Sequence, residues 1–240
     1  MSPRRMPDPR LGGHIVRSGA DEPRTLRAAR RGASGLLRAA FRLRVHGLEH
    51  LPATGPVILA GNHTSFLDGP CVFIVLPRPS AFLIKHEMYV GPLKPFLDLI
   101  RQIPVHRGVP DRTALRRGLT VLADGGVLGM FPEGTRGSGN LENIQHGIGY
   151  LALKARCPVV PVACFGTGEA MPTGSRLPKF GTSIDVVFGP AVHLDLPATP
   201  TASRRAMADA AEQIRVALLE HLANATTLTG RGSTGVRRSA

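Results

Sequence analysis

Two short islands of side chains have the residue types and spacing for chemistry. In Asn62-His63-Thr64-Ser65-Phe66-Leu67-Asp68 an imidazole stands five residues before a carboxylate. A histidine can serve as general base toward an alcohol when a carboxylate bonded to one ring nitrogen selects its tautomer and stabilises the imidazolium that forms. Asp68 is placed to be that partner. The second island, Phe131-Pro132-Glu133-Gly134-Thr135-Arg136, ends in a guanidinium whose planar fork of donors matches phosphate oxygens.

Spacing alone does not select the pair. His106 and Asp111, within Ile103-Pro104-Val105-His106-Arg107-Gly108-Val109-Pro110-Asp111, repeat it. Ser65 and Asp68 also fit a capping box ahead of the apolar run Val72 to Leu76, in which Asp68 only satisfies a helix start. The second island, taken alone, reads as a strand-to-turn corner where Glu133 and Arg136 form a solvated pair of little consequence.

A resemblance separates these readings. Asn62, His63, Ser65 and Asp68, followed by Phe131 to Arg136, form a pattern that resembles the glycerophospholipid acyltransferase family, which includes the 1-acylglycerol-3-phosphate acyltransferases. Ile103 to Gly108 resembles that family's second block, which carries a substrate-binding arginine, here Arg107. Val159-Val160-Pro161-Val162 resembles its fourth, proline-centred block, and Gly47 to Pro52 its lead-in. The resemblance makes His63 and Asp68 the catalytic pair and leaves His106 and Asp111 as a coincidence. It assigns Glu133, Gly134, Thr135 and Arg136 to acceptor binding, with Arg107 as a second phosphate ligand. Glu133, repelled by a phosphate, is expected to hold Arg136 or to accept a glycerol hydroxyl.

The implied reaction moves an acyl group from a thioester, carried by CoA or acyl carrier protein, to the free hydroxyl of a lysophospholipid such as 1-acylglycerol 3-phosphate. His63 takes the hydroxyl proton and the oxygen attacks the thioester carbonyl, so no acyl-enzyme is required. The residues do not name the donor to the carbonyl oxygen. No cofactor and no metal are expected. Other readings are the same chemistry on another lipid or glycolipid acceptor, or a non-catalytic lipid- or nucleic-acid-binding protein.

Several competing patterns fail. His86-Glu87-Met88-Tyr89-Val90 opens like a zinc-protease helix but has Val90 where the second histidine ligand must stand. Gly147-Ile148-Gly149 fits a loose dinucleotide fingerprint, yet no convincing strand precedes it, so close helix packing or a helix start is the better reading. No Gly-x-Ser-x-Gly elbow or Walker loop occurs.

The elements that must position these groups follow from periodicity. Five residues along an α-helix turn through about 140° beyond a full turn, so His63 and Asp68 require a strand-loop-helix junction. Val57 to Ala60 reads as a buried strand, Gly61 as its break and Ser65 to Asp68 as a helix opening. Further strands are expected at Leu43–His46, Ala81–Ile84, Ile103–Val105, Val127–Phe131, Val159–Ala163 and Ile184–Phe188. They alternate with helical stretches, the clearest at Asp111–Ala123 and Ser203–Ala223. This order predicts a single α/β domain, and the resemblance implies a mixed sheet flanked by helices. The resemblance adds a glycerol-3-phosphate acyltransferase-like fold with a short helical N-terminal portion. The expected divisions are a disordered basic arm over 1–30, the domain over 31–224 and a disordered tail over 225–240.

At 240 residues with 42% hydrophobic content the chain can bury a substantial core. Its three cysteines have no paired spacing, which suits a reduced compartment. The net charge of +13 is concentrated early. Residues 1–44 hold eleven arginines against three carboxylates. Leu36 to Arg44 interleaves apolar and basic groups and reads either as the start of an amphipathic helix on anionic lipid or as ordinary packing behind a basic tail. Nucleic acid is the weaker partner, because the chain has no Trp, only two Tyr and no recognised nucleic-acid motif. No apolar run approaches the roughly 20 residues that span a bilayer. Peripheral binding on the cytoplasmic side of a membrane is therefore expected.

Overall fold

The computed structural model describes residues 24–91, 93–106, 111–133, 141, 144–175, 177–198 and 203–231. Helix α1 (Arg24–Ala40) leads into strand β1 (Arg42–His46), then β2 (Val57–Gly61), α2 (Asp68–Val75), β3 (Ser80–Lys85), α3 (Leu93–Leu99), β4 (Ile103–Val105) and α4 (Arg112–Ala123). The second half comprises β5 (Val127–Met130), α5 (His146–Ala155), β6 (Val159–Phe165), α6 (Thr167–Ala170), β7 (Ser183–Phe188) and α7 (Arg204–Thr229).

Seven strands form one sheet in the order β1-β7-β6-β2-β5-β3-β4. Strands β6, β2, β5, β3 and β4 run parallel, and the β1–β7 pair joins them antiparallel through β6–β7. The sheet is therefore mixed, as the resemblance implied. Strand β2 lies at its centre and is buried on both faces. Its alternate residues serve opposite layers. Val57 and Leu59 pack in one cluster with α2 and the end of α1, while Ile58 and Ala60 pack in the other with α4, α5 and α7. This double coverage makes Val57–Ala60 a continuous apolar run rather than an alternating one.

Gly149 explains the glycine-rich pattern on α5. A Cβ there would lie 2.0 Å from the Met207 carbonyl oxygen of α7, so the glycine is what lets the two helices meet. Because the obstacle is backbone, Gly149→Ala is expected to destabilise the fold by about 1–3 kcal/mol or more. Chemical denaturation measures it, and an unchanged midpoint would refute the close-approach reading.

Both expected domain boundaries fall inside helices. Helix α1 spans Arg24–Ala40, so 24–30 belongs to it rather than to an arm. Leu36 to Arg44 is thus no single amphipathic helix. Arg42 and Arg44 lie on β1, in register with Ser183 and Asp185. Arg44 pairs at 2.8 Å with the buried Asp185 carboxylate, which leaves it committed to the fold. At the other end α7 continues to Thr229. The Thr227 and Thr229 hydroxyls donate back to the carbonyls of Ala223 and Ala225, and Gly230, at φ 65°, ends the helix. Arg231 then donates to Asp185 at 2.8 Å, fastening this end to β7. Residues 1–23 and 232–240, the remainder of the expected arm and tail, lie outside the described residues.

Candidate active site

His63 stands just past the carboxyl end of β2, where a strand of an open parallel sheet delivers ligand-facing side chains. Asn62 anchors the exit. Its side-chain amide donates to the Cys164 carbonyl at 3.1 Å and accepts from the Cys164 N–H at 2.8 Å, which extends the β2–β6 pairing by a side chain imitating backbone. The sequence reading gave Asn62 no task. An amide side chain directly before the proposed base was the available signal.

Asp68 is fully buried at the first position of α2. One oxygen, Oδ2, accepts from His63 Nδ1 at 3.0 Å and from the N–H groups of Thr64 and Ser65 at 2.7 Å each. The carboxylate therefore performs both jobs that the sequence left open, closing the turn and aligning the imidazole. The capping box is only half made: the Asp68 N–H donates to the Ser65 backbone carbonyl at 3.3 Å, while the Ser65 hydroxyl accepts from the Leu67 N–H and donates to the Met171 carbonyl at 3.0 Å. A carboxylate can only accept, so Nδ1 carries the proton and the neutral ring presents a bare Nε2. Asp68 Oδ1 is buried with no hydrogen-bond partner among the described residues.

The imidazole plane is set by stacking on Phe131, centroids 4.5 Å apart and planes 17° from parallel. Gly61 makes room for this, since a Cβ there would come within 3.0 Å of the Phe131 ring. Glu133 Oε1 accepts the His63 backbone N–H at 3.2 Å. The second island thus reaches the first through both Phe131 and Glu133, a role that the sequence did not suggest for either residue. On the far side α6 braces the turn: the hydroxyls of Thr64 and Thr167 lie 3.3 Å apart.

The second His-Asp spacing is built differently. Asp111 caps α4, accepting from the N–H groups of Thr113 and Ala114, and its other oxygen accepts the backbone N–H of His106 at 3.0 Å. Those bonds, that from Ala114 foremost, hold the Asp111 carboxyl below its usual range. The His106 ring packs on His86 instead, centroids 4.1 Å apart. Arg107, Gly134, Thr135 and Arg136 lie outside the described residues.

His63 opens onto an apolar cavity of about 350 Å³, walled by residues such as Phe66, Phe73, Ile84, Phe96, Leu97 and Phe131. Nearby thiols are unsuited to nucleophilic attack. Burial, with the Asp68 charge adding to it, pushes Cys71 up to about 12, and burial raises Cys164 well above the ordinary thiol range. No group of three or more potential metal ligands occurs among the described residues.

Fold and site together define an α/β protein in which a histidine bonded to a buried carboxylate lines an apolar cavity. The acyltransferase family model matches residues 42–165, just over half of the chain, and the chain belongs to that family. A chloroplastic 1-acyl-sn-glycerol-3-phosphate acyltransferase of Arabidopsis thaliana is 33% identical over 141 residues, covering 57% of this chain and 39% of that protein. The chain thus spans about two fifths of that relative's length. A 1-acyl-sn-glycerol-3-phosphate acyltransferase of Bacillus subtilis is 26% identical over 181 residues, covering 75% of this chain and 88% of its own. The crystal structure of the 1-acyl-sn-glycerophosphate acyltransferase PlsC from Thermotoga maritima shares the fold. Its TM-score is 0.62 at 22% identity, with 87% of this chain and 80% of that one covered.

Proposed function

We propose that the protein transfers a fatty acyl group from CoA or acyl carrier protein to the free hydroxyl of 1-acylglycerol 3-phosphate, giving phosphatidate. The observation that carries this reading is the His63–Asp68 pair, whose imidazole lines the apolar cavity. His63 Nε2 takes the proton of the acceptor hydroxyl as its oxygen attacks the thioester carbonyl. Asp68 stabilises the imidazolium, which then returns the proton to the departing thiolate. The cavity, within the roughly 300–1,000 Å³ usual for small-molecule sites, suits an acyl chain, and the raised thiols favour direct transfer over an acyl-enzyme. No cofactor enters this scheme. The names of the relatives support the choice of acceptor. Incubating the protein with labelled acyl-CoA and a panel of acceptors tests the reading: labelled phosphatidate is expected with lysophosphatidate. Turnover on none of the panel would leave a lipid-binding protein without catalysis.

Arg136 and Arg107 are proposed phosphate ligands on the strength of their motifs. Arg136→Lys keeps the charge but loses the two-pronged geometry. The Michaelis constant for lysophosphatidate is expected to rise about tenfold while that for the acyl donor stays near its original value. The reverse pattern would move Arg136 to the donor site.

A membrane surface is the proposed source of the acceptor. Among the described residues no helix is long and apolar enough to cross a bilayer. Phe66 and Phe96 border the cavity and are exposed, as are Val90 and Leu99 close by in sequence. This apolar rim suits shallow insertion into lipid. Phe96→Ser combined with Leu99→Ser is expected to lower co-sedimentation with anionic vesicles at both low and high salt, because apolar insertion is not screened over the ~8 Å Debye length that governs charge attraction. Unchanged sedimentation at both salts would remove this rim from the membrane contact.

A further inference from the structure

Three residues around His63 lean on one distant stretch of the chain. Asn62 exchanges two hydrogen bonds with the backbone of Cys164, the Thr64 hydroxyl lies 3.3 Å from that of Thr167, and the Ser65 hydroxyl donates to the Met171 carbonyl at 3.0 Å. Met171 is in turn held by its N–H to the Thr167 carbonyl at 2.8 Å. The end of β6 and the single turn of α6 therefore form the bed on which the His63 turn rests. A four-residue helix is too short to keep its own shape in water, so whatever fixes α6 from behind also fixes His63.

That outer support is the far end of α7. Gly166, at φ 79° ahead of α6, is pressed between two groups: a Cβ there would lie 2.1 Å from the Ser183 carbonyl oxygen and 2.7 Å from an Arg231 guanidinium nitrogen. The same guanidinium donates through Nε to the buried Asp185 carboxylate at 2.8 Å and stands 3.9 Å from Glu169 on α6. The longer pair, to a half-exposed carboxylate, contributes little by itself. What matters is position, because the Asp185 bond holds the guanidinium against the entry to α6. Arg44 also binds Asp185, from β1, but makes no bond to the segment 164–171 among the described residues. One carboxylate thus carries two arginines, of which only Arg231 reaches the bed of the His63 turn.

We propose that Arg231 is a positioning residue for His63 and Asp68, acting through α6 and the facing hydroxyls of Thr167 and Thr64. Its consequence for turnover rests on the reading of His63 as the base. The geometry of attack is lost with small displacements, so a looser turn lowers turnover without weakening the hold on substrate. None of Arg231, Asp185, Thr167 and Thr64 lines the apolar cavity, which leaves the proposed acyl site out of the effect.

The test sets Arg231→Ala against Arg44→Ala in the full chain. Each removes one guanidinium from Asp185 and leaves that carboxylate the other arginine and His46 at 3.0 Å, so both variants should fold. Thr167→Val deletes the hydroxyl and keeps most of the side-chain shape, whereas Thr167→Ser keeps the hydroxyl. For acyl transfer to lysophosphatidate, kcat should fall about tenfold in Arg231→Ala and in Thr167→Val, with both Michaelis constants within about twofold of their original values. Thr167→Ser and Arg44→Ala should keep their kcat. Arg231→Ala combined with Thr167→Val should lose no more than either alone, since the two residues act along one path. Hydrogen exchange of the Thr64 and Ser65 amides, both bonded to Asp68, needs no substrate and should quicken about tenfold in Arg231→Ala but not in Arg44→Ala. Absence of turnover by the unsubstituted chain would count against the acyl-transfer reading, and the exchange rates would still decide whether Arg231 holds the turn. Equal loss of kcat in Arg44→Ala, additive losses in the double variant, or unchanged exchange at Thr64 and Ser65 in Arg231→Ala would each overturn the proposal.

Discussion

Replacing His63 by Ala is expected to lower acyl transfer to lysophosphatidate by about a hundredfold or more, the usual range for loss of a general base, while His106→Ala keeps most of the activity. The two histidines share a sequence spacing and differ in wiring. His63 Nδ1 meets the Asp68 carboxylate at 3.0 Å and its ring is clamped on Phe131. His106 gives Asp111 only its backbone N–H, and Asp111 is occupied in capping α4. The measurement is kcat for each variant, with circular dichroism to establish that both are folded. Equal collapse in the two, or collapse in His106→Ala alone, would reverse the assignment.

Asp68 allows a sharper separation of charge from geometry. Among the described residues three donors converge on Oδ2, while Oδ1 has no partner. An asparagine can place its carbonyl oxygen where Oδ2 stands and keep every one of these bonds, with the amide nitrogen in the place of Oδ1. Asp68→Asn should therefore fold, at a cost of about 1–3 kcal/mol for the unpaired buried amide, and hold His63 in the correct tautomer. What it lacks is the negative charge that stabilises the imidazolium, so kcat is expected to fall by roughly 10- to 100-fold with little change in either Michaelis constant. Asp68→Ala removes geometry as well and leaves the Thr64 and Ser65 N–H groups without an acceptor. Its kcat should fall further, by about a thousandfold, together with a lower unfolding midpoint. Equal kcat in the two variants would mean that charge, not alignment, is all that Asp68 supplies.

Much of this molecule was legible because its signals are local. Strand β2 announces itself as an apolar run ended by Gly61, and β3, β4, β5, β6 and β7 fall within a few residues of their expected bounds, since burial on both faces of a parallel sheet selects uninterrupted Val, Ile and Leu. The limits of α1 and α7 were harder to read. Arginine and threonine look like tail composition, and only Gly230 marked the true end of α7. The basic N-terminal stretch misled for the same reason. Charge in sequence has no direction, and the helix leaves Arg31 exposed while Arg30 is part-buried against the carbonyls of Leu76 and Arg78.

The sequence by itself determined the α/β class, the strand-loop-helix junction that carries His63 and Asp68, and the motif pattern of the acyltransferase family. Each of these depends on residues close together in the chain or on the order of motifs along it. Only the tertiary structure decided which His-x4-Asp spacing joins ring to carboxylate, that Phe131 and Glu133 close on His63 from about seventy residues away, and that Asn62 and α6 brace the turn. Those contacts are made across β2, β5 and β6, and strand order is set by how apolar faces pack rather than by proximity along the chain.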